Sequence, residues 1–310
     1  MNDTIGIDIS KPMLDVFRLA TGEHRQFSND KPGCTRLIRW IGNEPVRIVF
    51  EPTGPYHRLL EQTLTKAGIA AVKVNPRYAR RFAEATGELA KTDRIDAAIL
   101  ARMGAALDLE ARPARPENHH DLRELSVARQ ALIKDRIAAR NRAQVARNAL
   151  LRRQLKARLS QIEKQITEIE KAMAAIVSAD ETLARRREIL ASIPGIGPIT
   201  AMAILVEMPE LGNLDGKQVA SLAGLAPITR ESGGWKGRAR IQGGRAALRR
   251  ALYMPALVAL RLNPDMRRKY RALKDAGKPS KVAIAAIMRK LIVLANALVR
   301  DNRKWSENAA

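Results

Sequence analysis

The sequence predicts a mixed α/β domain at the N-terminus followed by an all-α remainder. Three observations predict it. Short runs rich in Ile, Val and Leu occupy residues 4–9, 13–20, 46–51 and 69–76, and after the first hairpin they alternate with segments of helical spacing. From 118 to 187 the chain has no Gly or Pro, and apolar residues recur three and four apart. Beyond 187 the pattern stays helical, interrupted by turns that contain Gly and Pro.

Composition narrows the function before any motif does. The 310 residues are enough for two or three domains. The net charge of +23 and the pI near 10.9 fit a polyanionic partner better than a small-molecule substrate. Aromatics are only 4%, so single strands read by stacking rings are not expected, and contact with the phosphate backbone is. The single cysteine, Cys34, excludes a disulfide framework and a cysteine zinc site. Four histidines, of which His119 and His120 are adjacent, argue against a His-rich metal site. No run of 18 apolar residues is present, so no membrane span is expected. Asp3 and Asp8 stand where a signal peptide would be basic. The expected setting is a reducing compartment that holds nucleic acid.

Each element follows in order. "TIGIDI" (4–9) and "MLDVFRLA" (13–20) are strands joined by a turn at 10–12, and "RQFSN" (25–29) is a third. "CTRLIRWIG" (34–42) has helical spacing. "VRIVFEPTG" (46–54) is a buried strand ending at Glu51, and "YHRLLEQTLTKAG" (56–68) is an amphipathic helix with a glycine stop. "IAAVKVNP" (69–76) is a strand closed by Pro76. Two helices follow, "RYARRFAEA" and the segment of "AKTDRIDAAILA" (90–101). Hairpins first, then strand and helix in alternation, make a mixed sheet.

Four acids stand out. Asp93 and Asp96, three apart, share one helix face, and Ile95, Ala98, Ile99 and Met103 bury the helix beside them. Taken alone, they are ordinary first-turn acids stabilised by the helix dipole. Asp8 lies inside an Ile-rich strand and Glu51 at the end of another, where a lone carboxylate is costly. A turn acid before Lys11 or a salt bridge explains each singly. A shared Mg²⁺ or Mn²⁺ explains all four, because oxygen-only ligands suit those ions and phosphoryl chemistry.

"GIDISK", "EPTGPY" and "VNPRYARRFAEATGELAKTDRIDAAILA" resemble the DEDD-type insertion-sequence transposases, the group that includes the pilin-gene invertases and the bridge-RNA-guided recombinases. The resemblance implies an RNase H-like fold similar to RuvC Holliday-junction resolvases. It carries the Asp, Glu, Asp, Asp set onto Asp8, Glu51, Asp93 and Asp96 as metal-binding catalytic acids. "EPTG" replaces the commoner "EATG" beside the acid.

The prolines of "ARPARPE" (111–117) mark a boundary, giving an N-terminal catalytic domain over 1–112. Residues 118–187 form a helical region. Leu155, Leu159, Ile162, Ile166, Ile169, Met173 and Ile176 make a heptad seam, and a second, Arg-rich helix precedes them. The two helices either fold back near 152 or pair with another chain. The length of exposed seam favours a coiled-coil assembly element.

The third domain spans 188–310. "PGIG" with Gly195 and Gly197, between two helices, reads as a helix-hairpin-helix whose free N–H groups hold a phosphate. "GLAPITRESGGWKGRARIQGG" is a basic, Gly-rich loop in which Arg230, Lys236, Arg238 and Arg240 surround Ser232. Chemistry alone makes Ser232 an ordinary loop serine, since a hydroxyl needs activation. "GLAPITRESGG" and "LRRALYMPA" resemble the C-terminal domain of the same transposases, whose catalytic serine falls on Ser232. The residues after Trp235 depart from the family's Ser-Lys-Gly form, and no catalytic role is carried onto them. The last stretch is two basic amphipathic helices parted by 277–279, with Ile284, Ile287, Leu291 and Leu294 facing a core.

The resemblance implies a transposase that cuts and exchanges DNA strands through a Mg²⁺-assisted serine, by way of a phosphoserine link. It implies double-stranded donor and target DNA, a non-coding guide RNA, a dimer or tetramer, and the bacterial cytoplasm or nucleoid. A Holliday-junction-type nuclease using water, and a non-catalytic nucleic-acid-binding protein, are the alternatives.

Overall fold

The computed structural model describes residues 3–306, apart from Leu89, Lys91, Glu110, residues 112–116, Arg230 and Arg238; the side chains of Glu117 and Lys236 also lie outside the description. The chain divides into two compact units, Met1–Arg115 and Pro116–Ala310.

The first unit is built on a five-stranded sheet. Its strands are β1 (Asp3–Ile9), β2 (Met13–Arg18), β3 (Glu23–Ser28), β4 (Val46–Phe50) and β5 (Ala71–Lys73). Their order is β3-β2-β1-β4-β5, with β1–β2 and β2–β3 antiparallel and β1–β4 and β4–β5 parallel. Alternation along each strand sorts the side chains between two faces. On one face Ile5, Ile7, Ile9, Leu14, Val16, Ile48 and Phe50 form a core with α1 (Lys31–Ile41) and α2 (Arg58–Lys66). Asp30 starts α1 by accepting from Gly33 N at 2.7 Å, and Pro32 fits its first turn.

The opposite face carries α3 (Pro76–Ala85) and α4 (Asp93–Ala106). Val49, Val72, Val74, Ala79, Leu100 and Met103 pack there. Two glycines let α4 lie against the strands. A Cβ on Gly6 would collide with Ala97 O and Ala101 N, and one on Gly104 with the Val49 side chain. Thr92 starts α4, its Oγ1 accepting from Ile95 N at 3.3 Å.

The second unit opens with α5 (Glu117–Val145) and α6 (Ala149–Ser178). They fold back on each other. Arg129 pairs with Glu170 at 2.7 Å, and Arg136 and Arg140 with Glu163 at 3.1 and 2.8 Å, as antiparallel helices require. The turn falls at 146–148, before the expected 152, because Asn148 caps α6 through Leu150 N at 2.9 Å. All of the heptad seam but Leu155 is closed within the chain: Ile162 and Ile166 are buried with Ala139, Leu132, Ile133 and Leu159 pack around them, and Ile169, Met173 and Ile176 join the larger core of this unit. Val145, Leu150 and Leu151, at the turn, stay exposed.

The other end of the helical pair joins a large core. Leu122, Met173 and Val177 pack with residues of α7 (Glu181–Ser192), α8 (Pro198–Glu207), α9 (Gly216–Leu222), α10 (Ala246–Leu262), α11 (Pro264–Asp275) and α12 (Ser280–Arg300). The 188 boundary therefore falls inside one compact unit. Between α9 and α10 lie four short strands: β6 (Pro227–Ile228), β7 (Glu231–Ser232), β8 (Trp235–Lys236) and β9 (Arg240–Ile241). By length and composition α12 is apolar enough to cross a membrane. Here it is the central core helix, with Ile287, Leu291, Ile292, Ala295 and Leu298 buried, and it carries Arg289 and Lys290.

Candidate active site

The acids of the first unit gather on the α4 face of the sheet. Gly6 points at α4, so Asp8, two residues on, points the same way. Ile7 pairs with Phe50 in the parallel β1–β4 ladder, so Asp8 and Glu51 follow at the same level. Val49 packs under α4, and Glu51 continues its alternation just past the strand end. Asp93 and Asp96 lie in the first turn of α4, which rests on β1 and β2. Four carboxylates from a strand, a strand end and a helix start thus face one region.

Electrostatics agrees with that placement. Burial pushes the Asp8 carboxyl from 3.8 up to about 6, and the charges of Asp93, Asp96 and Glu51 push the same way. The Ile9 N–H opposes them. Three acids acting on a half-buried fourth is what a site for a divalent cation looks like before the cation arrives. The donors are all hard oxygens, the type that suits Mg²⁺ or Mn²⁺. Among the described residues no three Asp, Glu, His or Cys side chains converge at coordination distance. Bare carboxylates repel, which keeps the four apart.

A fifth carboxylate escaped the sequence reading. Asp15 on β2 pairs directly with Asp8 and, on its other side, with Gln26 of β3. It is 3% exposed. Gln26 Nε2 donates to its Oδ1 at 2.7 Å, and His24 Nε2 lies 3.5 Å from the same oxygen. Gln26, Asp15, Asp8 and Glu51 form one row across the sheet. The signal was an acid between Leu14 and Val16 in "MLDVF", the same anomaly that singles out Asp8.

The serine of the second unit has a different setting. Ser232 pairs with Trp235 in the β7–β8 hairpin, across the two-residue turn Gly233-Gly234. Gly233 has φ +54°, which a two-residue hairpin turn of the II′ kind needs at its first position. Ser232 is exposed, and Trp235 is 62% exposed. The loop's neck is tight. β6 pairs with β9, where Arg240 stands opposite Ile228 and is exposed. Arg245 closes the neck, donating to both Glu210 oxygens at 2.8 Å and to Glu207 O at 2.6 Å. Arg249 donates to Gly243 O at 2.8 Å. Gly224 and Gly244 touch, and a Cβ on either would strike the other strand of the neck. Arg230 and Arg238 lie outside the described residues, and of Lys236 only the backbone is described, opposite Glu231.

The two glycines of "PGIG" differ. Gly195 has φ +99°, and a Cβ there would come within 2.6 Å of Pro255 O, so it serves packing against α10. Gly197 caps α8 without a side-chain bond, is exposed and has open space beside it. The first N–H groups of α8 therefore face outward without side-chain partners.

Known proteins match over both units. A family model for DEDD transposases of the IS110 kind matches residues 5–177, and one described as the Transposase IS116/IS110/IS902 family matches residues 187–271. The pilin gene-inverting protein of Moraxella bovis is 30% identical over 314 aligned residues, covering 98% of this chain and 97% of the relative. That of Moraxella lacunata is 30% identical with the same coverage. An insertion element IS900 uncharacterized 42 kDa protein of Mycobacterium paratuberculosis is 33% identical over 123 residues, 38% of this chain and 30% of its own length. Matching both end regions in order and nearly the whole of two relatives, the chain belongs to the IS110/IS116/IS902 family of DEDD transposases.

Proposed function

We propose that this transposase breaks and rejoins DNA with two separate parts, a carboxylate set that holds a divalent cation and a serine that takes the DNA phosphate. Membership of the family makes the chain an enzyme that cleaves DNA and transfers strands. The observation that carries the finer reading is the action of Asp93, Asp96 and Glu51 on the half-buried Asp8. Asp8, Glu51, Asp93 and Asp96 hold Mg²⁺ or Mn²⁺. The cation supplies charge neutralisation at the scissile phosphate.

Ser232 is the nucleophile. Its exposure at a hairpin beside a glycine turn supports that role. The Ser232 Oγ–P bond forms as one bridging P–O bond of the DNA breaks. The serine proton is lost, and the released DNA hydroxyl takes one up. In the second step a hydroxyl of another strand attacks the phosphoserine, a new phosphodiester forms, and Ser232 regains its proton. The number of phosphoester bonds is unchanged throughout, so no nucleotide fuel is needed. Arg240 and the basic residues Arg230, Lys236 and Arg238 stabilise the phosphate charge. Gly197 at the start of α8, with Gly195 shaping the turn, gives a helix-hairpin-helix contact to the DNA backbone.

A non-coding RNA selects the sites, consistent with a basic surface poor in aromatic residues. A dimer or tetramer assembles through the helical pair, supported by the exposed Val145, Leu150 and Leu151 at its turn. The activity belongs to the bacterial cytoplasm or nucleoid.

The test uses purified protein, Mg²⁺, the element's junction DNA and the flanking transcript, run on a denaturing gel. We expect DNA covalently bound to protein, absent in Ser232→Ala and in Asp8→Ala and absent without the transcript. Free cleaved ends that persist in Ser232→Ala would replace the serine with water. Cleavage that ignores the transcript would remove the RNA from the scheme.

A further inference from the structure

The second unit carries a groove whose α12 side lies in a segment that neither family match reaches. Residues 5–177 and 187–271 are matched, and α12 lies beyond both. On α12, Ala286, Arg289, Lys290 and Val293 recur at helical spacing and share one side. The start of α9, with Gly216 and Lys217, and Lys269 of α11 complete an open groove of about 710 Å³.

Its charge is one-sided. Lys217, Lys269, Arg289 and Lys290 line it against a single carboxylate, Asp215. That carboxylate is engaged by backbone N–H groups of its own helix. Its Oδ1 accepts from Lys217 N at 2.7 Å and from Gln218 N at 2.8 Å, as one half of the capping box of α9. None of the four cations has an ion-pair partner among the described residues. Elsewhere in this unit cations find acids: Arg245 with Glu210, Arg129 with Glu170, Arg136 and Arg140 with Glu163. Along α11 itself, Arg268 pairs with Asp265, and Arg267 donates to Leu260 O at 2.9 Å. Four unpartnered like charges around one hollow repel each other, and a polyanion offsets that cost.

The lining also says which polyanion. Its floor is Gly216, Ala286 and Val293, small and flat enough for a sugar-phosphate chain to approach closely. A Cβ on Gly216 would already lie 3.4 Å from Val293 Cγ1. No aromatic ring lines it, so unpaired bases have nothing to stack on. No Asn or Gln lines it either, so it lacks the amides that pair with adenine. What remains is backbone contact to a duplex, and the family's substrate is DNA.

We propose that the α9–α11–α12 groove is a sequence-independent clamp on the phosphate backbone of duplex DNA, distinct from the Ser232 hairpin. It rests on the DNA-acting nature of the family and not on the serine chemistry.

The experiment is a salt titration of binding to a random-sequence duplex by the full chain. The variant is Lys217→Gln/Lys269→Gln/Lys290→Gln, three exposed side chains. A control, Lys156→Gln/Lys164→Gln/Lys171→Gln on α6, removes the same charge from another surface. We expect the groove variant to lose roughly 10- to 100-fold in affinity at 0.1 M salt. Its log K against log salt line should be shallower by about 0.9 for each phosphate contact removed. The readout is binding and not cleavage, so a failed serine reading leaves this test intact. Equal losses in groove and control variants would reduce the effect to net charge and overturn the clamp. A loss seen with duplex RNA but not duplex DNA would overturn the assignment to DNA.

Discussion

The acid-bearing unit and the serine-bearing unit solve opposite problems. In the first, each carboxylate is fixed by regular structure: Asp8 in a central strand, Glu51 at the end of its parallel neighbour, Asp93 and Asp96 in a capped first helical turn. Gly6 and Gly104 let α4 sit directly on the strands, so the acids are held close at an electrostatic cost. In the second, Ser232 stands on a hairpin of two-residue strands, exposed, and the rigid part is the neck below it. The difference teaches that the acids are placed by regular structure while the serine stands on an exposed hairpin. A carboxylate cluster must be forced together, because its members repel. A serine hydroxyl is neutral and has no such conflict, though it needs activation to attack.

Breaking the rigid half should have the largest effect. Asp8→Asn is expected to lower cleavage roughly 10²- to 10³-fold, on the scale of removing a principal electrostatic group, measured as initial cleavage rate at saturating Mg²⁺. Gly6→Ala tests the closeness of α4 without touching an acid. Its Cβ would strike backbone atoms of Ala97 and Ala101, so α4 must lift and carry Asp93 and Asp96 with it. A drop of roughly 10²-fold in rate is expected, in line with the cost of a misplacement of about 1 Å. Unchanged activity in Gly6→Ala would mean the acids are not held by the α4 contact.

The neck of the hairpin offers the matching cut in the other half. Arg245→Met leaves Glu210 and the Glu207 carbonyl without their shared donor. The side chains of this pair are about one-quarter exposed, so the loss should be moderate, about 1–3 kcal/mol. Urea denaturation reads that loss. A second readout, the rate of adduct formation, should fall further than stability explains, since the neck aims Ser232.

Much of this was legible in sequence, and the exceptions have physical causes. The strand and helix order of the first unit follows from alternation, helical spacing, the glycine stop at 68 and Pro76. Asp8 was found because a carboxylate among isoleucines is anomalous. Asp15 was missed although it stands between Leu14 and Val16, because its partnership with Asp8 is a matter of strand register, which one sequence does not display. The turn at 146–148 precedes the expected 152 because Asn148, one more polar residue in the helical pattern, acts as a cap. The packing task of Gly195 depends on Pro255 and Ala259, sixty residues away in the chain, and no local pattern announces it.

Acidity sharpens the comparison, because the acid half holds a carboxyl raised toward neutrality. Asp8 is raised from 3.8 to about 6, chiefly by burial. The folded state therefore keeps a proton that the unfolded chain releases between those values, and stability from this group falls as pH rises through that window. Below about 4 the group costs nothing, and above about 6 the full cost is present. The melting temperature of the wild type relative to Asp8→Asn should thus decline from pH 4 to pH 7. Added Mg²⁺ should raise the wild-type value at pH 7.5 and raise it less at pH 5, where a protonated Asp8 is a poor ligand. A Mg²⁺ shift of equal size at both pH values would separate the cation from Asp8.

The smallest effect should come from Asp15, the acid behind the acids. Its Oδ1 is held by Gln26 and faces His24, so it is tied toward β3 and away from the position of a ligand. Yet it stands directly across from Asp8 in the strand pair. Asp15→Asn keeps the shape and removes the charge of the side chain opposite Asp8. Rate at saturating Mg²⁺ should change little, while the Mg²⁺ concentration for half-maximal activity should rise roughly tenfold, the low end for groups behind metal ligands. Calorimetric titration with Mn²⁺ checks the same shift without turnover. If Asp15 serves only to join β2 to β3, the melting temperature will move and the metal titration will not.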